Sequence, residues 1–190
     1  EKQIQIQVVP RAIQKIVIAS EVDAATIESD VGLKITATDK DGKSAGYNDI
    51  ALSTTTPEVT LADETLTLDS EGQAQTKVTL PAEPGRITIT VATGDITQSV
   101  DVSVTPRPVA QFKISLDSTR AIAESEVGVS VQGLAADGKA AGFNTVEVQA
   151  ASDDIHVSDD TLNLDKDGNA RFTVALSSIP GKNVISVKSG

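Results

Sequence analysis

The 190-residue sequence has no cysteine, methionine or tryptophan, and it carries one histidine, one tyrosine and three phenylalanines. Without cysteine there is no disulfide, thiolate metal site or cysteine nucleophile. Aromatics at 2% leave little for a carbohydrate-stacking platform. His156 stands alone, with no partner placed beside it for acid–base work or metal binding. Serine and threonine are plentiful, yet no glycine-flanked nucleophile motif accompanies them, so no enzyme and no cofactor are expected. No apolar run reaches the length of a membrane span, and these residues show no signal-peptide pattern, although a cleaved one is compatible with them. Lys and Arg number 16 against 27 Asp and Glu, and the net charge of −11 repels nucleic acid and anionic membranes.

What remains is aliphatic: Val, Ile, Leu and Ala supply most of a 39% hydrophobic content, enough for one or two cores. The sequence also repeats itself. A shift of 96 residues sets Pro10-Arg11 on Pro106-Arg107, Glu28-Ser29 on Glu124-Ser125 and Val31-Gly32 on Val127-Gly128. Without a gap, "DGKSAGYN" then falls on "DGKAAGFN" and "DETLTLDSEGQA" on "DDTLNLDKDGNA", with roughly a third of the aligned positions identical. The expected organisation is a strand at 1–9, a first domain at 10–106 and a second at 107–190.

Within each copy, short alternating segments are separated by turn residues, which is the pattern of a β-sandwich. In the first copy the alternation predicts strands over 14–20, 32–39, 49–55, 65–68, 74–80, 86–93 and 98–104, with a short piece at 59–61. "TLTLDSEGQAQTKVTL" reads as a hairpin in which Leu66 and Leu68 face Val78 and Leu80. Leu162, Leu164, Phe172, Val174 and Leu176 are its counterparts. Tyr47 and Phe143 align and are expected in the core. The fold class is all-β, with two tandem immunoglobulin-like sandwiches.

Two motifs carry a resemblance. Thr36, Asp39 and Gly42 form a T-x-x-D-x-x-G hairpin, although the second copy has Gln132 and Ala135 at the first two places. Asp69-x-x-Gly72-x-Ala74 and Asp165-x-x-Gly168-x-Ala170 keep a later turn in both copies. In these features the chain resembles the bacterial immunoglobulin-like repeats of intimin- and invasin-type surface proteins. The resemblance implies an extracellular or cell-surface structural protein, and brings no catalytic residues with it.

The opening "QIQIQV" alternates with period two, as a half-buried strand does. The same shift sets Ile4, Ile6 and Val8 on Val100, Val102 and Val104, so residues 1–9 match the last strand of the repeat. Gly190 aligns with Gly94, and residues 107–190 therefore lack that strand. The vacancy is expected to be a groove lined by Phe112, Ile114, Leu116, Ile185 and Val187. Since "VVPRAI" at the first junction matches "VTPRPV" at the second, the donor is expected to lie beyond the far end of the first domain. The expected partner is then a neighbouring copy of the chain, joined head-to-tail into a filament or pilus in the manner of donor-strand complementation. The alternative is a spacer segment of a large tandem-repeat cell-surface adhesin. A calcium-dependent or carbohydrate-binding module is a third reading.

Acidic residues cluster at Asp153-Asp154 and Asp159-Asp160, and Asp63-Glu64 matches the latter pair. A solvated rim accounts for them more simply than a calcium site. "DKDG" occurs at 39–42 and again at 165–168, but the twelfth position, where a calcium loop needs a bidentate glutamate, holds Ile50 or Leu176. A β-turn is expected at both places.

Overall fold

In the computed structural model, which describes residues 2–189, the chain divides into two compact units, Glu1–Thr105 and Pro106–Gly190. The first contains β1 (Lys15–Ser20), β2 (Ala24–Thr26), β3 (Asp30–Thr38), β4 (Asp49–Thr54), β5 (Thr60–Leu61), β6 (Thr65–Thr67), β7 (Gln73–Thr79), β8 (Gly85–Thr93) and β9 (Ile96–Thr105). One sheet runs β1-β3-β7-β5 and the other β2-β9-β8-β4-β6. Alternation builds both. On β3, Val31, Leu33, Ile35 and Ala37 point inward, and the intervening residues point toward solvent. They meet Ile50 and Leu52 of β4, Ile87, Ile89 and Val91 of β8, and Val102 and Val104 of β9 in a single core.

The second unit contains β10 (Gln111–Leu116), β11 (Glu126–Leu134), β12 (Thr145–Ala150), β13 (His156–Val157), β14 (Thr161–Asn163), β15 (Asn169–Ala175) and β16 (Ile185–Ser189). Its sheets run β10-β11-β15-β13 and β14-β12-β16. Among the described residues the first unit's plan recurs in it without counterparts of β2 and β9. Val129, Val131, Val146, Val148, Leu164, Phe172 and Val174 form its core.

Residues 65–80 are not a hairpin, contrary to the sequence expectation. β6 pairs with β4, whereas β7 pairs with β3 and β5 in the other sheet. Leu68 therefore meets Val78 and Leu80 across the sandwich rather than along a ladder, and β14 and β15 repeat this crossing. At the crossing, Asp69 Oδ1 accepts hydrogen bonds from the amides of Glu71 (2.8 Å) and Gln73 (2.9 Å). Gly72 completes the turn at φ +71°, and an added Cβ there would lie 2.6 Å from the Ala37 carbonyl oxygen, so the position favours glycine twice over. Asp165 repeats the turn, accepting from Asp167 (2.9 Å) and Asn169 (2.8 Å). Asp39 does the same for Asp41 and Lys43, both at 2.9 Å. Both "DKDG" stretches are turns built on an aspartate side chain.

Tyr47 and Phe143 also depart from expectation. Each sits at a left-handed φ, +62° and +61°, which turns the ring away from the core, and Tyr47 is 67% exposed. The neighbouring asparagines hold the loop instead. Asn48 Nδ2 donates to the carbonyls of Arg11 (2.9 Å), Ala45 (3.0 Å) and Gly46 (3.2 Å). Asn144 Nδ2 donates in the same way to Arg107 (2.8 Å), Ala141 (3.0 Å) and Gly142 (3.1 Å).

Candidate assembly groove

β9 is a strand of the first unit that has no counterpart among the described residues of the second. In the first unit it pairs with β8 along its whole length, from Gly85↔Val104 to Thr93↔Ile96. On its other side it pairs in parallel with β2, through Ala24↔Ser103, Ala25↔Val104 and Thr26↔Thr105. Val102 and Val104 drop from it into the core, and Val102 is fully buried.

β16 is the counterpart of β8, and among the described residues it pairs only with β12. The loss is visible in local structure. β8 begins at Gly85, although β4 pairs with it only from Ile89 onward, so its first half is a strand by virtue of β9. The corresponding residues 181–184 belong to no strand. Nor do Arg120–Ile122, the counterparts of β2. Each of these segments is strand where the ninth strand is present and irregular where it is not.

The side chains follow. Ile18 is 8% exposed, but its counterpart Ile114 is 51% exposed. Leu116 is exposed as well, and Phe112, Ile185 and Val187 are half-buried, whereas their counterparts Ile16, Ile89 and Val91 are buried. A cavity of about 500 Å³ opens here, lined by Leu116, Arg120, Val129, Val174, Leu176 and Ile185 among others. The structure thus brings Leu116 and Ile185 together on this cavity. It sets Phe112 and Val187 against the adjoining core, while Ile114, between Phe112 and Leu116 on the same face of β10, is exposed and does not line this cavity. Sequence reasoning passed over Asn183, which stands where Ile87 is buried, and Arg120–Ile122; their alignment with β8 and β2 was the available signal.

Residues 2–9 belong to no strand, and Ile4, Ile6, Val8 and Val9 are exposed. Placed in the register of β9, Ile4 stands opposite Ile185, Ile6 opposite Asn183 and Val8 opposite Gly181. The inward positions of β9 held by Val102 and Val104 become Ile6 and Val8.

The fold has counterparts among solved structures. The chain is similar to the Yersinia pseudotuberculosis adhesin InvE, at 14% identity over 86% of this chain and 51% of that one, with a TM-score of 0.59. It is also similar to invasin, a bacterial integrin-binding protein, at 17% identity over 93% of this chain and 36% of that one, with a TM-score of 0.55. The fold is that of the bacterial immunoglobulin-like domains of intimin and invasin type. A third such protein, the Escherichia coli adhesin FdeC, is 17% identical over 96% of this chain and 61% of that one, with a TM-score of 0.53. The chain spans about half the length of InvE and less than two thirds of invasin or FdeC. No protein-family model and no curated protein matches it.

The remaining candidates of these immunoglobulin-like units lie elsewhere. Asp153, Asp154, Asp159 and Asp160 are exposed on the loops around β13, and His156 is exposed on β13 itself. Asp63 is engaged, its Oδ2 accepting from Thr76 Oγ1 at 2.8 Å. Two carboxylates have a shifted affinity for protons. The Lys43 amide foremost, then the Asp41 amide and the Arg11 guanidinium, hold Asp39 below the usual carboxylate range. The Thr88 hydroxyl, then Arg86, does the same for Asp101.

Proposed function

We propose that the protein is a non-enzymatic, cell-surface structural subunit, and that it polymerises head-to-tail by donating residues 1–9 of one copy to the groove of another's second unit. The observation that carries this reading is the match between an unpaired strand sequence and an unpaired strand position. Ile4, Ile6 and Val8 have the spacing of the inward side chains of β9, and the position they would occupy opens onto a cavity. Burying the three side chains would contribute roughly 5–9 kcal/mol, at about 1.5–3 kcal/mol each. The loss of translational and rotational freedom offsets part of that gain. Because donor and acceptor are different surfaces, the joint is heterologous and propagates unless it closes into a ring. The similarity to surface adhesins supports the cell-surface setting.

A second reading is a spacer segment of a longer adhesin, favoured by the fact that this chain spans only 36% to 61% of the three similar proteins. There the groove is filled by residues that continue the same chain. Electron microscopy of the purified 190-residue chain, beside the same chain without residues 1–9, separates the two. Filaments that vanish with the deletion support strand donation. Monodisperse particles in both samples sink it and leave the spacer.

A further inference from the structure

We infer that the groove grips the donated strand from both sides: Arg120–Ile122 fold onto it as a parallel clamp strand, and Val9 of the donor pairs with Ile122 of the acceptor. This inference rests on the strand-donation reading and adds a second contact surface to it.

The first unit supplies the template. There β2 runs parallel to β9, the Ile27 amide donates to the Thr105 carbonyl at 2.9 Å, and the Ser103 amide donates to the Asp23 carbonyl at 2.9 Å. In the second unit Arg120 and Ala121 line the cavity, so the counterpart of β2 already borders the vacancy. Transferred in register, Gln7 stands beside Arg120, Val8 beside Ala121 and Val9 beside Ile122. The Ala123 amide then donates to the Val9 carbonyl, and the Gln7 amide to the Thr119 carbonyl.

The composition of the last pair makes the transfer specific. In the first unit that register joins Thr26 to Thr105, a polar pair at the sandwich surface. At the vacancy both partners are apolar, and both are bare: Ile122 is 82% exposed and Val9 is 68% exposed. Two isolated, exposed β-branched residues at one register position, on segments with no other strand partner, are what a cross-strand contact between molecules requires. The consequence is topological. A strand held only by β16 would be a new sheet edge, whereas one held by β16 and the clamp is interior, with hydrogen bonds on both flanks.

The test uses a synthetic peptide of residues 1–11 and the chain lacking residues 1–9. The described residues of that segment contribute nothing to the core, so the deletion leaves both units intact. Hydrogen exchange is followed at the Ala123 amide and across residues 181–187. Affinity is measured for Ile122→Ser in the chain, Val9→Ser in the peptide, and both together. The expected result is protection of Ala123 together with 181–187. Each single change should weaken binding about three- to fivefold, and the second should add little to the first. Protection of 181–187 with Ala123 unprotected, and Ile122→Ser binding as tightly as the unaltered chain, overturns the clamp while donation stands. A peptide that does not bind overturns both.

Discussion

Replacing Ile6 with aspartate is the sharpest perturbation of the joint, because the same replacement one residue earlier should do nearly the opposite. In the proposed joint Ile6 would take the place of Val102, which is fully buried. Its removal forfeits about 1.5–3 kcal/mol of apolar burial. Forcing a carboxylate into that position costs at least about 2 kcal/mol more, for a total near 4 kcal/mol, or roughly a thousandfold in affinity. Gln5 would instead take the outward place of Asp101, which accepts from Thr88 Oγ1 at 2.6 Å and from Arg86 Nη2 at 2.7 Å. At the vacancy Lys182 stands where Arg86 does, so Gln5→Asp regains a surface ion pair worth at most about 1 kcal/mol. The critical concentration for assembly, measured by sedimentation, should rise by orders of magnitude for Ile6→Asp and stay level or fall slightly for Gln5→Asp. Equal behaviour of the two variants, or greater harm from Gln5→Asp, would refute the register and the strand that defines it.

Asn48→Ala should lower the unfolding free energy of the first unit by roughly 1–3 kcal/mol in denaturant titration, because one amide NH2 shares its two hydrogens among three loop carbonyls and its removal takes that donor from all of them. Asn144→Ala should do the same in the second unit, and an effect confined to one of them would break the equivalence of the two clasps. For Asp39 the folded carboxyl binds its proton less readily than the unfolded one, so it stabilises the fold fully above the ordinary carboxylate range and loses that contribution as pH falls through its depressed value. Asp39→Ala should therefore lower the thermal midpoint at pH 7 and lower it less in strong acid; a gap that widens on acidification would contradict the sign.

Much of the sandwich was legible in the sequence because period-two alternation is written residue by residue: Val31, Leu33, Ile35 and Ala37 announce β3 without reference to any neighbour. What was not legible depends on partners. Ala24–Thr26 has no alternation to show and is strand only because β9 runs beside it. The chain between Leu68 and Gln73 has every mark of a hairpin turn, yet which sheet receives the next strand is set by tertiary pairing. Tyr47 misleads for a different reason, since a left-handed backbone reverses the facing that its hydrophobicity suggests. At the groove, Ile185 stands out because it matches Ile89, whereas Asn183 and Ile122 were passed over because neither looks like the residue it aligns with, Ile87 or Thr26.

The parallel pairing of β2 with β9 has a mechanical consequence. The chain comes to β2 from the amino-terminal side and leaves β9 at its carboxyl end, so tension along the polypeptide pulls the two strands past one another in shear. Their hydrogen bonds, including Ile27 to Thr105 and Ser103 to Asp23, then carry the load together instead of opening one at a time like a zip. A tethered molecule built this way resists being drawn out by the forces that act on anything anchored at one end and pulled at the other.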